Sequence, residues 1–167
     1  MNGQTLLIAL TAAVLVFWSV GAYNRLVGLR NELLRCFGPV DEQFRARQAL
    51  LQRWADAADG ADPAVLESFR AACRQAEAAC AHVRASPARA GTLTSLRLAE
   101  DILAGARERL PAGTDEALAA ALGEADTTLA FARRQFNEAA HAYNRAVSQF
   151  PTWVLAGLFG FRKAGTL

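Results

Sequence analysis

Residues 118–150, LAAALGEADTTLAFARRQFNEAAHAYNRAVSQF, decide the fold of this chain. Apolar residues recur along this stretch at alternating steps of four and three, an average of 3.5 that keeps one face of a long helix against a partner helix. Along this face, one set of positions seven residues apart carries large side chains and the other set is mostly alanine. The alanines allow a neighbouring helix to approach closely. The face comprises Leu118, Leu122, Ala125, Leu129, Ala132, Phe136, Ala139, Tyr143, Ala146 and Phe150. A long bundle helix is predicted.

The composition favours one all-α domain. The chain has 167 residues, of which 53% are hydrophobic and 20% charged, and no stretch alternates β-branched and polar residues as a strand would. A net charge of +2 does not favour nucleic acid as a partner. The three cysteines form no CxxC pair, so we expect Cys36, Cys73 and Cys80 to be reduced core residues.

An apolar segment near the N-terminus predicts a membrane anchor over residues 1–22. Residues 5–22, TLLIALTAAVLVFWSVGA, carry no charge and would span about 27 Å as a helix, enough to cross a bilayer core. Trp18 and Tyr23 stand near one end of the segment, where aromatic rings favour the membrane interface. The chain is therefore expected to be a single-pass membrane protein.

Basic residues set the expected orientation of this anchor. No Lys or Arg precedes the segment, whereas Arg25, Arg30 and Arg35 follow it, so the positive-inside rule places the short N-terminus outside and the body in the cytoplasm. The alternative is a signal peptide cleaved after Val20-Gly21-Ala22. Against that alternative, the segment lacks a positive n-region and is longer than a typical h-region.

The apolar pattern continues beyond the anchor into the bundle domain, residues 23–149. Its seven-residue spacing survives Gly38-Pro39, which predicts one helix that continues through the proline to about Ala58, with Arg30 and Arg47 as polar interruptions. The apolar positions are Leu26, Leu33, Phe37, Val40, Phe44, Leu51, Trp54 and Ala58.

Two further helices and the long one complete the bundle. Asp62-Pro63 provides an N-cap and a first-turn proline for a second helix, which ends at Ser86-Pro87. A third helix runs from Gly91 to about Leu110, and Thr114, Asp115 and Glu116 open the last one. The apolar positions are Leu66, Phe69, Cys73, Ala76, Cys80 and Val83 in the second helix, and Leu93, Leu96, Ile102, Leu103 and Leu110 in the third. Short loops favour an elongated, antiparallel, up-and-down four-helix bundle.

Equal lengths of the first and last bundle helices predict their register. If the two helices are antiparallel neighbours, residue i lies near residue 173−i. Phe37 then meets Phe136, Phe44 meets Leu129 and Leu51 meets Leu122. Arg47 acquires Asp126 as a partner, and Arg30 acquires Tyr143.

A polar layer is expected at the membrane-proximal end of this helix pair. Two pairs of asparagines lie seven residues apart, each on one face of its helix, and they either fix the register or line a ligand pocket. The candidate layer consists of Asn24, Arg30, Asn31, Asn137, Tyr143 and Asn144.

Residues 150–167 form an aromatic C-terminal segment expected at the membrane. Phe150-Pro151 ends the long helix, and residues 153–161, WVLAGLFGF, are too few to span a bilayer. Arg162 and Lys163 follow, as in segments that lie at a lipid interface. The candidate membrane or oligomer contact consists of Phe150, Trp153, Leu155, Leu158, Phe159 and Phe161. The alternative is that the segment packs on the bundle.

Several short motifs resemble the LemA family of bacterial proteins, of which the chain looks like a divergent member. They are Tyr23-Asn24-Arg25-Leu26-Val27, Ala132-Arg133-Arg134, Phe136-Asn137, Tyr143-Asn144, Phe150-Pro151 and Ala156-Gly157-Leu158-Phe159-Gly160-Phe161. The family pattern has Tyr where Phe136 stands. The resemblance implies a four-helix bundle attached to the bacterial inner membrane, and it supplies no catalytic residues.

Among three possible functions, the sequence favours a non-enzymatic membrane-anchored scaffold or adaptor. It would self-assemble as a homo-oligomer or bind membrane or envelope proteins. A hydrolase or metal enzyme is disfavoured because His82 and His141 are isolated and no HExxH, GxSxG or phosphate-loop motif occurs. No catalytic residue, metal or cofactor is therefore expected. The alternative is a small-ligand or signal sensor that uses the polar layer. The sequence does not identify the partner, the ligand or the oligomeric state.

Overall fold

The protein is an all-α bundle, as predicted. The structure, a computed structural model, describes residues 2–58, 60–111 and 115–167, and within these ranges it contains five helices and no strand. The helices are α1 (Gly3–Asp56), α2 (Pro63–Ala85), α3 (Ala90–Glu108), α4 (Glu116–Ser148) and α5 (Thr152–Leu158). The short α5 was not predicted, and it lies within the aromatic C-terminal segment.

Helix α1 is one continuous element of 54 residues. It passes through Pro39 without interruption, which confirms the prediction from the preserved spacing, and it ends at Asp56, slightly before Ala58. Its N-terminal part is exposed, and Leu26 is the first buried residue in the described range 2–58. The best 18-residue window has a mean hydropathy of 2.2, so α1 is long and apolar enough to cross a membrane.

Helices α1 and α4 form the closest antiparallel pair, in the predicted register. The Phe37 and Phe136 rings meet edge to face with centroids 6.0 Å apart, an arrangement favoured by their ring quadrupoles. Arg47 Nη1 lies 3.5 Å from Asp126 Oδ1. The two residues of this ion pair are 79 positions apart in the sequence. Both contacts place the two helices in the register that the spacing predicted.

The buried face of α4 departs from the predicted one at its C-terminal end. Ala140 and Val147 are buried, whereas Ala139 is only half-buried and Phe150 is 76% exposed. A helix of 3.6 residues per turn drifts relative to a strict 3.5 repeat, so neighbouring positions replace the predicted ones over several turns. Phe150 lies beyond Ser148, the last residue of α4, and so does not belong to the bundle face.

Helices α2 and α4 begin at side-chain caps; the cap Asp62 was predicted, whereas Asp115 was expected in the first turn of α4 and is its N-cap instead. Ala64 N donates to Asp62 Oδ1 over 2.8 Å, and Leu118 N donates to Asp115 Oδ1 over 3.0 Å. Thr114, predicted to help open α4, lies outside the described residues. In α3 the prediction for Ile102 was wrong, because this residue is 42% exposed. The irregular spacing of that helix left its apolar face poorly defined.

The helices differ in how closely they approach. α1 packs against α4 and α2, and α2 packs against α3. α3 and α4 stay farther apart and are joined by long side chains, through the pairs Arg107–Asp126 and Arg133–Glu100. A cleft of about 580 Å³ lies there, lined by residues of α1, α3 and α4.

Candidate functional site

The aromatic C-terminal segment lies beside the start of the bundle, at the level of Tyr23. The ring centroid of Tyr23 lies 4.9 Å from that of Phe159 and 5.8 Å from that of Phe161. Tyr23 directly follows the apolar run of α1. Helix α5 is therefore positioned at the end of the segment that is long enough to cross a membrane.

The six predicted contact residues divide between an outer and an inner set. Leu155 is buried, and the half-buried Phe161 packs against the core. The other four predicted residues are exposed. Val154, which was not predicted, is exposed beside them. We call this surface the α5 patch; it consists of Phe150, Trp153, Val154, Leu158 and Phe159, which are 42% to 76% exposed. Exposed apolar side chains that lie this close in sequence are candidates for an interaction surface.

The predicted polar layer is divided among different faces. Asn24, Arg30 and Asn31 are exposed on α1, whereas Tyr143 is buried on α4. Burial raises the pKa of the Tyr143 phenol, and the charge of Arg30 opposes that rise, in agreement with their predicted proximity. A ligand-binding role of this layer stays a prediction.

Asn137 and Asn144 bind a segment that the sequence did not connect with them. Both side-chain amides form hydrogen bonds with the backbone of residues 164–167. Their regular spacing was visible in the sequence. Their partner was not, because an irregular segment has no periodicity that reveals where it docks.

A charged layer crosses the middle of the bundle. Arg47 of α1 binds Glu100 of α3, and Arg133 Nη2 of α4 lies 2.7 Å from the same carboxylate. Asp126 joins this layer through Arg47 and through Arg107, whose Nη1 lies 2.8 Å away. The side chains of Arg47 and Glu100 are only 11% and 9% exposed. The layer thus links the three helices that border the cleft.

This charged layer is incompletely satisfied by protein groups. Within the described part of the chain, Arg47 Nε, Glu100 Oε1 and Arg133 Nε are buried without a hydrogen-bond partner. Unpaired buried polar atoms reduce stability, so they offset part of the free energy that the ion pairs contribute. Arg47 was recognisable because it interrupts an apolar column. Glu100 was not, because its partners lie 53 and 33 residues away.

A second ion pair ties α1 to α2. Arg84 binds the buried carboxylate of Asp41 through Nε at 3.0 Å and Nη2 at 2.7 Å, and Arg45 Nη2 lies 2.9 Å from it. Burial raises the pKa of Asp41, but Arg84 and Arg45 together hold it below its ordinary value. The apolar spacing of the sequence did not predict this ion pair, because Asp41 lies next to the apolar column of α1.

The thiols show no sign of a reactive centre. Cys36, Cys73 and Cys80 are free, and the last two are buried. Burial raises the pKa of Cys80 to about 12, with a further contribution from Asp41. Such a thiol stays protonated at neutral pH and is a poor nucleophile.

Comparison with known proteins identifies one family. The sequence profile of the LemA family matches residues 68–167, which include α3, α4, α5 and most of α2. No curated protein matches the chain. No solved structure matches it either. The matched residues are more than half of the chain, and they contain the Phe136-Asn137, Tyr143-Asn144 and Phe150-Pro151 motifs. The protein therefore belongs to the LemA family.

Proposed function

We propose that this protein is a non-enzymatic, membrane-anchored helical scaffold that self-assembles or binds envelope proteins at the bacterial inner membrane. The observation that carries this proposal is the continuity of α1 from its exposed apolar run into the bundle core. An anchor and a bundle that share one helix move as a unit. Such a helix holds the bundle at a fixed distance from the bilayer.

The exposure of the anchor supports its placement in lipid. Leu7, Ile8, Leu10 and Phe17 are 61% to 79% exposed, and no described residue before Leu26 is buried by the bundle. Apolar side chains without protein contacts gain about 25 cal/mol per Å² when they leave water. With Arg25 just beyond this run, the proposed topology has the short N-terminus outside and the bundle in the cytoplasm.

The α5 patch supports a second contact at the same level. It lies beside Tyr23, so lipid headgroups, another copy or a partner protein bound at the membrane could all cover it. Arg162 and Lys163 directly follow and would favour anionic lipid. The patch is the surface through which a scaffold of this shape would bind its partners.

Membrane extraction tests the anchor. We expect the full chain to stay in the membrane pellet after alkaline washing, and Leu10→Arg with Val14→Arg to release it because two charges are costly in the bilayer core. Thr128→Arg, on an exposed face of α4, is the matched control and should stay in the pellet. Release of the unmodified chain would contradict the proposed anchor.

The mass of the protein in detergent tests self-assembly. We expect a protein mass of at least twice 17.9 kDa by light scattering corrected for detergent. Trp153→Ser with Leu158→Ser should shift the protein toward monomer, whereas Leu98→Ser, an exposed leucine on α3, should not. A monomer at all concentrations, together with no protein cross-linked to the patch in native membranes, would refute the scaffold.

A further inference from the structure

The two asparagines of α4 hold the C-terminal segment by its backbone alone. Asn144 Nδ2 donates to Ala164 O over 2.8 Å, and Asn144 Oδ1 accepts from Ala164 N over 2.7 Å. Asn137 repeats the arrangement with Leu167, at 2.6 Å and 2.8 Å. Each amide thus pairs with both backbone groups of one residue. These four hydrogen bonds do not involve the side chains of the bound residues.

The spacing of these contacts indicates the conformation that the groove selects. Asn137 and Asn144 lie seven residues apart, about 10.5 Å along a helix. The two bound residues lie three apart, which is about 9.3 Å in polyproline II, a helix with three residues per turn. In a β-strand, by contrast, the backbone groups that face one side repeat every second residue, so residues three apart face opposite sides. The groove therefore fits an extended segment with a period of three.

The start of α3 forms the other wall of this groove. Gly165 N donates to Ala88 O over 3.4 Å. A Cβ atom at Gly165 would lie 2.7 Å from Ala90 Cα and 3.0 Å from Leu93 Cδ1. Ala164, which precedes it, is buried. The groove thus requires glycine, preceded by a small residue, at its narrowest point.

We propose that this groove is a peptide-binding site that accepts the C-terminal segment (residues 161–167) of a second copy in place of the chain's own. The choice of occupant rests on the self-assembly proposed above. The hydrogen bonds are the same whichever copy supplies the segment, and exchange of an identical element is a low-cost route to dimers. Gly160, with φ +71°, provides a pivot just ahead of the segment.

The α5 patch adds a reason for exchange between copies. Helix α5 directly precedes the segment, so a copy that donates its segment brings its own exposed Trp153 and Leu158 toward the neighbour. Burial of these side chains would stabilise the exchanged state. The segment supplies specificity through its backbone, and the patch supplies apolar area.

Binding of a labelled peptide tests the site. The probe is fluorescein-labelled FRKAGTL, the sequence of residues 161–167, and the readout is fluorescence anisotropy with the full chain in detergent. We expect Gly165→Val, which excludes the chain's own segment, to bind the probe saturably and at least tenfold more tightly than wild type. In wild type the tethered segment competes at a high effective concentration.

Two further variants make the result specific. Asn144→Leu, added to Gly165→Val, should weaken binding at least tenfold because two backbone hydrogen bonds are lost. A probe with Val in place of its glycine should not bind. Ala164→Phe is a second way to release the segment, and circular dichroism verifies that each variant is folded.

The possible outcomes distinguish failure of the peptide-binding site from failure of the proposed self-assembly. If both release variants are folded and neither binds the probe, the peptide-binding site is refuted. Equal binding by Gly165→Val with and without Asn144→Leu would also refute it. Saturable binding by the release variants, with wild type monomeric at every concentration, would keep the site and exclude the second copy as its occupant.

Discussion

Arg47 of α1 and Asp126 of α4 lie 3.5 Å apart although 79 positions separate them in the sequence. Arg47 also binds the buried Glu100, so its removal leaves that carboxylate with Arg133 alone. We expect Arg47→Ala to lower the free energy of unfolding by about 3 kcal/mol, because a buried charge loses its partner. Urea denaturation of the full chain in detergent measures this. Arg35→Ala, whose side chain is 78% exposed, should cost less than about 0.5 kcal/mol. Equal losses would contradict a role of the charged layer in the fold.

The Phe37–Phe136 contact should dominate the packing of α1 on α4. Phe136 is fully buried, so Phe136→Ala should lower the free energy of unfolding by about 3–5 kcal/mol through lost burial and a cavity. Phe131→Ala on the same helix is the matched control, since Phe131 is 59% exposed. Thermal unfolding followed by circular dichroism distinguishes the two. A smaller loss for Phe136 than for Phe131 would contradict the helix register.

Asp41 should make stability depend on acidic pH. Its folded pKa is held below the unfolded value of about 3.9, so its stabilisation is full above that value and is lost as the pH falls through the folded pKa. We expect Asp41→Asn to cost about 1–3 kcal/mol at pH 7, and the difference from wild type to shrink as the pH falls below about 3.9. Denaturation series at several pH values test this. Glu67→Gln should show a much smaller change, because solvent screens its exposed pair with Arg74. A pH-independent cost at Asp41 would contradict the ion-pair explanation.

The cysteines should report on the integrity of α2. Cys73 and Cys80 are buried, and the pKa of Cys80 is raised to about 12, so neither should react with iodoacetamide in the folded protein at pH 8. The half-buried Cys36 should react first. Mass spectrometry of the labelled peptides, before and after addition of urea, provides the comparison. Fast labelling of Cys80 in the folded state would show that α2 does not pack as described.

Pro39 should reduce the stability of α1. Helix α1 continues through Pro39. In a helix interior, a proline costs about 3 kcal/mol relative to alanine, because it lacks an N–H and its ring clashes with the preceding turn. Because Pro39 is exposed, Pro39→Ala should raise the free energy of unfolding by about 1–3 kcal/mol. Gly38→Ala, with open space around its Cβ position, should raise it by about 1 kcal/mol. A loss of stability in Pro39→Ala would show instead that the bundle needs the proline at this point.

Apolar spacing in the sequence was sufficient to predict the long helices, their order and the α1–α4 register. Phe37, Phe136, Arg47 and Asp126 meet where that spacing placed them. This prediction works because a helix has a fixed rise, so two antiparallel helices of equal length have only one register once one end is fixed.

The site was less predictable. Asn137 and Asn144 stood out by their spacing, but the segment that they bind has no repeat that marks its docking place. The buried Glu100 and Asp41 looked like ordinary surface acids, because their arginine partners lie on other helices. Phe150 left the predicted face because α4 ends at Ser148, and Ala139 did so because small differences in helical period accumulate over several turns.

By itself, the sequence determined the apolar run of α1, the helical character of the chain and the seam that joins α1 to α4. These follow from local periodicity, which each helix carries alone. Only the tertiary structure decided that α3 stands apart from α4, that residues 164–167 dock between them, and that the ring of Phe159 packs on that of Tyr23. Such features depend on how irregular segments and long side chains fill the space left between packed helices, and no single stretch of the sequence contains that information.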